Sequence, residues 1–268
     1  MELALVNRFR AIALEHAGIA LSEGKAALLE ARIGERLRAL GLPDAGSYLK
    51  LLEEDASRDE LVQFIDAVST NLTSFFREPE HFELLAEEAA TWRREKRTKI
   101  RVWCAAASSG EEPYTLAMTL ADAFAGEVVD WRVLGTDIST RALAKAEAGV
   151  YSGQRVEAIP KAARLRHFER QMQAGTVVWS VRPELRKRVV FRRVNLAAPP
   201  YFLSGPIDAV FCRNVMIYFA TPTRQALVSE VERVLRPDGL FIIGHAETLT
   251  GIRSSFRQLR ASVFRVVP

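Results

Sequence analysis

The sequence predicts an α/β protein: a small all-helical N-terminal domain, then a doubly wound parallel sheet carrying a small inserted β-subdomain. Three observations carry this reading. Apolar residues recur three and four apart through the first 66 residues. Beyond residue 96 short apolar runs alternate with helical stretches, the pattern of a parallel sheet covered on both faces. No apolar run reaches the roughly 18 residues that would span a bilayer.

In residues 1–70, "LVNRFRAIALEHAG", "SEGKAALLEARIGERLRALG" and "DELVQFIDAVST" read as amphipathic helices, with Gly18, Gly41 and "LPDAG" as breaks. Lys25, Arg32 and Arg36 fall seven and four apart in the second of these, which predicts one basic face with Arg38 nearby. That stripe suits either an acidic helix or plain solvent. Residues 71–95 form a linker ending in the helix "EPEHFELLAEEAATWRREKR".

The sheet domain spans 96–268. Its strands are expected in "IRVWCAAAS", "WRVLGTDIS", "IDAVFCRNVMIYF" and "GLFIIGHAE", with helices at "EPYTLAMTLADAFAG", "TRALAKAEAGVY" and "TPTRQALVSEVERVLR". Between the second and third strands, "TVVWSV" and "RVVFRRVNL" read as two strands around a turn at "RPEL". They place the β-subdomain at about 155–194.

Composition narrows the function classes. The chain is 49% hydrophobic and 26% charged, an ordinary globular balance. The start "MELALVNRFR" lacks a signal-peptide layout, so a cytoplasmic protein without direct membrane insertion is expected. Cys104 and Cys212 both lie in apolar runs and read as packed thiols, and the four histidines lack ligand spacing, so no metal is expected. Residues 1–70 carry a net charge of −4, whereas 160–193 hold ten basic and two acidic side chains. A local positive field of that kind attracts an acidic partner or merely keeps a face wet.

The chemistry concentrates at the ends of the expected strands, where ligands bind in such sheets. "SSGEEP" has a single glycine and fits neither a dinucleotide fingerprint nor a phosphate loop, which argues against a pyrophosphate ligand. Glu111 and Glu112 open a helix, where they either complement its dipole or accept from a ligand. Asp137 closes the second strand 27 residues after Gly110, the place for a carboxylate that binds ribose hydroxyls, or for a helix N-cap. Asn195 and Asn214 end further strands, with Tyr218 shortly after. Ribose recognition without pyrophosphate suggests S-adenosylmethionine.

"NLTSFFRE", "AAASSGEEPYTLAM", "GTDIS", "FCRNVMIYF" and "LRPDGLFIIGHAE" closely resemble the motifs of the chemotaxis receptor glutamate methyltransferases, the CheR family, over nearly the whole chain. The resemblance implies a Rossmann-like S-adenosylmethionine-dependent methyltransferase domain, with 71–95 doubling as a cofactor-contacting segment. It also implies methylation of glutamate side chains on chemoreceptors, giving glutamyl methyl esters and S-adenosylhomocysteine. On this basis Asn71, Thr73 and Arg77 would lie near the cofactor, with Arg77 facing its carboxylate and the reacting site. Glu112, with Glu111 as a second candidate, would contact the methionine part, Asp137 the ribose, and Asn195 and Leu196 the adenine end. Arg213 and Asn214 would line the mouth, and Tyr218 would lie beside the methyl donor. Arg77 and Tyr218 are the expected catalytic residues.

The partner implied is the cytoplasmic helices of chemoreceptors, docked by Lys25, Arg32, Arg36 and Arg38. Some family members also tether a receptor's C-terminal pentapeptide through a glycine-rich loop of the β-subdomain. Here "ERQMQAGTVV" offers only Gly175, which counts against that tether. Two rivals remain at this stage: a methyltransferase acting on nucleic acid, suggested by a pI near 9.2, and a catalytically silent receptor-binding regulator. The absence of RNA-stacking aromatic motifs weighs against the first, and intact Arg77, Asp137 and Tyr218 against the second.

Overall fold

The computed structural model describes residues 1–266. The N-terminal domain comprises α1 (Leu3–Ala17), α2 (Ala26–Leu40), α3 (Ala45–Glu54) and α4 (Asp59–Val68). Gly18 and Gly41 end α1 and α2 in the left-handed conformation that glycine adopts without strain, and Asp44 caps α3 by accepting from the Ser47 amide at 2.8 Å. The helices close on Phe9, Tyr48 and Phe64, whose rings are fully buried with centroids 5.8–6.4 Å apart.

The second domain follows α5 (Glu80–Arg94) with β1 (Lys99–Cys104), α6 (Glu111–Ala123), β2 (Asp130–Asp137), α7 (Thr140–Ala148), β3 (Val150–Ser152), α8 (Lys161–His167), β4 (Phe168–Gln173), β5 (Thr176–Val181), α9 (Pro183–Arg186), β6 (Val189–Arg193), β7 (Ile207–Cys212), α10 (Thr221–Val234), β8 (Leu235–Ile243), β9 (Phe256–Arg260) and β10 (Val263–Val266). A seven-stranded sheet runs β6-β2-β1-β7-β8-β10-β9, parallel through β8, with β10 and β9 added antiparallel. The chain enters at β1, works outward to β6, then returns to the other side of β1. The resulting reversal opens a crevice outside the carboxyl ends of β1 and β7.

Both faces of the sheet are apolar because alternate residues feed opposite cores. Val102, Cys104, Ala209, Phe211, Leu240 and Ile242 pack on the α5–α6 side, while Trp103, Val210, Cys212, Phe241 and Ile243 pack against α10. Trp103 is fully buried, and its indole donates to Thr136 Oγ1 at 2.9 Å. Truncating such a side chain to alanine costs about 3–5 kcal/mol.

The β-subdomain differs from the expected arrangement. Its sheet is β3-β5-β4, and "RVVFRR" is not in it: β6 pairs in parallel with β2, from Val133 opposite Val189 to Asp137 opposite Arg193. The "RPEL" segment forms a helical turn with Pro183 in its first turn, which carries the chain back to the main sheet. There Phe191 fills the space left by Gly135, where a Cβ would come within 2.8 Å of the Phe191 ring. "ERQMQAGTVV" is a tight β4–β5 hairpin turning at Ala174 and Gly175, both at positive φ. The third expected strand stops at Cys212, and β9 and β10 add an antiparallel edge that the apolar pattern does not announce.

Hydrogen bonds clasp the two domains together, among them Ala20 N to the Tyr218 carbonyl at 3.1 Å. Asp66 of α4, itself buried, accepts from Thr140 N at 2.9 Å, Thr140 Oγ1 at 2.7 Å and Arg141 N at 3.2 Å at the start of α7. Asn195 Nδ2 donates to the His16 carbonyl at 2.7 Å.

Candidate active site

The crevice is a cavity of about 920 Å³, its open mouth included, walled by the ends of β1, β2 and β7, by the segment 69–77 and by the N-terminal domain. Asn71, Thr73, Arg77, Glu112, Asp137, Asn195, Leu196, Arg213, Asn214 and Tyr218 all line it. Residues more than a hundred positions apart in sequence therefore meet in one space.

After β1 the chain turns at Ser108 and Gly110, both at positive φ, into α6. A side chain at Gly110 would meet Tyr151 Oη at 2.7 Å and Ala146 Cβ at 2.8 Å, so only glycine fits. The two glutamates that follow point to different partners. Glu112 accepts from Cys104 Sγ at 3.2 Å and from Arg213 Nη1 at 2.5 Å, and burial pushes its carboxyl up with Arg213 opposing. Glu111 does not line the cavity: it accepts from Ser109 Oγ at 2.7 Å and pairs with Arg155 at 3.2 Å. Its carboxyl is likewise raised by burial.

Asp137 is not a helix cap, since Ser139 caps α7 by accepting from Ala142 N. The Asp137 oxygens instead accept from the Ser108 and Ser139 amides at 2.7 and 2.9 Å, which fixes the carboxylate at the cavity wall. Burial raises its carboxyl against those hydrogen bonds. The buried Ser108 hydroxyl beside it has no protein partner. Asn195 has part of its amide engaged, donating to His16 O and accepting from Ala197 N.

Arg213 is the buried cation of the site. It pairs with Glu112 and, at 2.9 Å, with Glu78, donates to the Arg77 carbonyl at 2.5 Å, and lies over the Phe82 ring. Burial opposes its charge, but the two carboxylates hold the guanidinium protonated above its ordinary value. Glu78 feels burial first, yet Arg213 and Asn214 bring its carboxyl down overall. Arg77 is about a third exposed, donates to the Leu72 carbonyl at 3.2 Å and pairs loosely with Glu78 at 3.9 Å, which leaves its Nη2 without a protein partner among the described residues.

The expected docking stripe divides. Lys25 belongs to a 3₁₀ turn before α2 and lines the cavity, its Nζ 5.0 Å over the Tyr218 ring. The seven-residue spacing to Arg32 assumed a continuous helix. Arg36 is held inside its own domain by a two-pronged pair with Glu60 at 2.9 and 2.6 Å, with Tyr48 Oη on the same carboxylate. Arg32 pairs only with its helix neighbour Glu35 at 3.2 Å, and Arg38 is exposed. In the basic 160–193 segment, Arg166, Arg182 and Arg188 sit within ion-pair distance of Asp122, Glu169 and Asp130.

Glu78, His81 and His245 bring possible ligand atoms within 4.8 Å of one another. Glu78 is already the counter-ion of Arg213, and a dication there would face the buried guanidinium, so this donor set does not fit a metal.

Residues 71–265 match the family model described as CheR methyltransferase, SAM binding domain, and residues 4–69 match CheR methyltransferase, all-alpha domain. The chain belongs to the CheR methyltransferase family. A chemotaxis protein methyltransferase of Escherichia coli K12 is 41% identical over 250 residues, 93% of this chain and 86% of that protein. One from Salmonella typhimurium is 42% identical over 90% of this chain and 83% of its own length, and chemotaxis protein methyltransferase 2 of Pseudomonas aeruginosa is 39% identical over 92% and 87%. This CheR chain is thus an S-adenosylmethionine-dependent methyltransferase with a helical N-terminal domain and a Rossmann-like domain. The cavity fits that cofactor: it offers a fixed carboxylate, an unpartnered buried hydroxyl and a partly exposed guanidinium, with Ile138, Val194 and Leu196 as apolar wall. Among the described residues no helix is long and apolar enough to cross a membrane.

Sequence reasoning missed Ser108, Arg155 and Glu247, and it missed the place of Lys25. Ser108 was within reach, being two residues before the turn glycine. Nothing local marks Arg155 or Glu247, whose partners, Gly244 apart, are distant in the chain.

Proposed function

We propose that this CheR methyltransferase transfers the methyl group of S-adenosylmethionine to glutamate side chains on the cytoplasmic helices of chemoreceptors, forming glutamyl methyl esters. The observation that carries this is the gathering of all ten expected site residues around one cavity, in a chain about 41% identical to proteins named chemotaxis protein methyltransferases.

The bound donor supplies an electrophilic methyl on a sulfonium. A glutamate, with an ordinary value near 4.3, is already ionised at pH 7, so no strong general base is needed. The carboxylate oxygen attacks, the carbon–sulfur bond breaks, and S-adenosylhomocysteine leaves. The protein's task is alignment, and well-oriented reactants gain about 7–11 kcal/mol from that alone.

In this reading Asp137 accepts from the ribose hydroxyls, with the Ser108 hydroxyl beside it, and Asn195 and Leu196 border the adenine. Asn71, Thr73 and Asn214 hold the amino-acid end. Glu112 offsets its ammonium charge, and Arg77 meets its carboxylate. Arg213 acts from behind, opposing the burial that raises Glu112, bringing Glu78 down and keeping the 71–78 segment in place. Tyr218, with Lys25 over its ring, lies at the mouth where the acceptor carboxylate arrives. Arg32 and Arg38 are the exposed charges that α2 offers to an acidic receptor helix. The tight turn at Gly175 supports a chain that works without the pentapeptide tether.

The test is to incubate the protein with S-adenosylmethionine labelled on its methyl and with chemoreceptor cytoplasmic fragments. Label should enter the fragments and be released by mild alkali, as esters are. Alkali-stable label, or label entering RNA instead, would overturn the proposal.

A further inference from the structure

The motif "IIGHAE" ends in Glu247, whose carboxylate accepts four backbone N–H groups. Gly244 N (2.6 Å) and Asn214 N (2.8 Å) donate to Oε2, while Val215 N (2.9 Å) and Met216 N (2.7 Å) donate to Oε1. Three of these belong to the turn that leaves β7, and that turn starts with Asn214 at φ +58, the left-handed region that asparagine tolerates better than most residues. Val215 and Met216 lead directly into the 3₁₀ turn Met216–Tyr218, whose last residue faces the cavity. Gly244 completes the arrangement, because a Cβ there would come within 2.5 Å of Asn214 Nδ2 and 3.0 Å of Glu247 Oε2.

We infer that Glu247 is a positioning residue for Tyr218: its carboxylate fixes the Asn214–Met216 backbone and thereby, together with Ala20 N on the Tyr218 carbonyl, the place of the phenol at the mouth. The inference rests on the reading of Tyr218 given above. Glu247 does not line the cavity and touches neither donor nor acceptor, so it acts only through the turn. Replacement by glutamine keeps the shape but turns an NH₂ toward two of the four N–H donors, which then lose their acceptor and face a like group.

The experiment is a double-mutant cycle on the full chain with Glu247→Gln and Tyr218→Phe, reading kcat and KM for methylation of receptor fragments and Kd for S-adenosylhomocysteine. Glu247→Gln is expected to lower kcat by at least about tenfold with KM changed less than about threefold. In the Tyr218→Phe background the same replacement should cost under about threefold. Amide exchange at Asn214, Val215 and Met216 should quicken while protection in β1 and β7 stays. An equal cost in both backgrounds overturns the inference and leaves Tyr218's role standing. Wild-type turnover by Tyr218→Phe alone overturns the reading of Tyr218 and the inference with it. Should Glu247→Gln not fold, Glu247→Asp carries the same cycle with a smaller expected loss. An additive Glu247→Asp result counts against the inference equally.

Discussion

Arg155 and Glu111 form a salt bridge at 3.2 Å, and the same Nη1 of Arg155 holds the Thr73 carbonyl at 3.0 Å. Its counterpart is Arg213, which pairs with Glu112 and donates to the Arg77 carbonyl. Two adjacent glutamates thus anchor two arginines that pin the 71–78 segment at two points along one wall of the cavity. Helix capping alone does not account for the pair.

Arg155→Ala should therefore loosen that segment. Arg155 is half exposed, so the loss is modest: roughly three- to tenfold weaker S-adenosylhomocysteine binding, with faster proteolysis near residue 72. Calorimetry and limited digestion check this, and unchanged affinity would leave Glu111 a purely local counter-ion.

Asp137→Ala removes the fixed carboxylate and should weaken S-adenosylhomocysteine binding by about 10–100-fold, the range for losing hydrogen bonds to a charged group. Wild-type affinity in calorimetry would take Asp137 out of the site.

Arg77→Ala and Tyr218→Phe should each lower kcat by about 10–100-fold while the fold survives, since both side chains lie at the mouth and neither is part of a buried network. Initial rates of ester formation decide. If both variants turn over normally, neither aligns the acceptor.

Charge reversal at Arg32 and Arg38 should raise KM for receptor fragments, more at low salt than at high, and leave cofactor affinity alone. Arg36→Glu should behave differently. It breaks the pair with Glu60 and sets a second carboxylate against that part-buried one, so it lowers stability as well. Denaturant midpoints of the three variants separate the two effects.

His81 is buried beside Arg213, and burial first, then that guanidinium, pushes its imidazole down to about 4 from 6.5. The folded chain refuses a proton that the unfolded chain accepts. Stability is therefore full above pH 6.5 and falls as pH drops toward 4, by up to about 3 kcal/mol. Urea unfolding at pH 7 and pH 4.5 should show the loss, and His81→Gln should flatten it. An unchanged slope would assign the acid sensitivity to other groups.

The fold was readable from the sequence wherever a residue's environment is set locally. Alternating apolar runs gave β1, β2, β7 and β8, and Gly110 with Asp137 marked the crevice because turn chemistry and strand ends have local signatures. Three features had none. Val189–Arg193 looks like a subdomain strand until its partner is known, and that choice is made by the fit of Phe191 over Gly135. Lys25 reads as a helix-face charge because a 3₁₀ turn costs the sequence no visible marker. Glu247 is one acid near a strand end, and its importance lies in four amides, three of them over thirty residues away in sequence.

Asp66 and Asn195 rivet α4 and the end of α1 to the rim of the donor cavity. The helical domain proposed to meet the receptor is thereby tied to the wall of the cavity proposed to hold the methyl donor. On the proposed reading, a receptor that finds its register on α2 would have its glutamate brought into line by the same act. Partner choice can thus drift through the exposed face of one helix while the chemistry beneath it stays as it is.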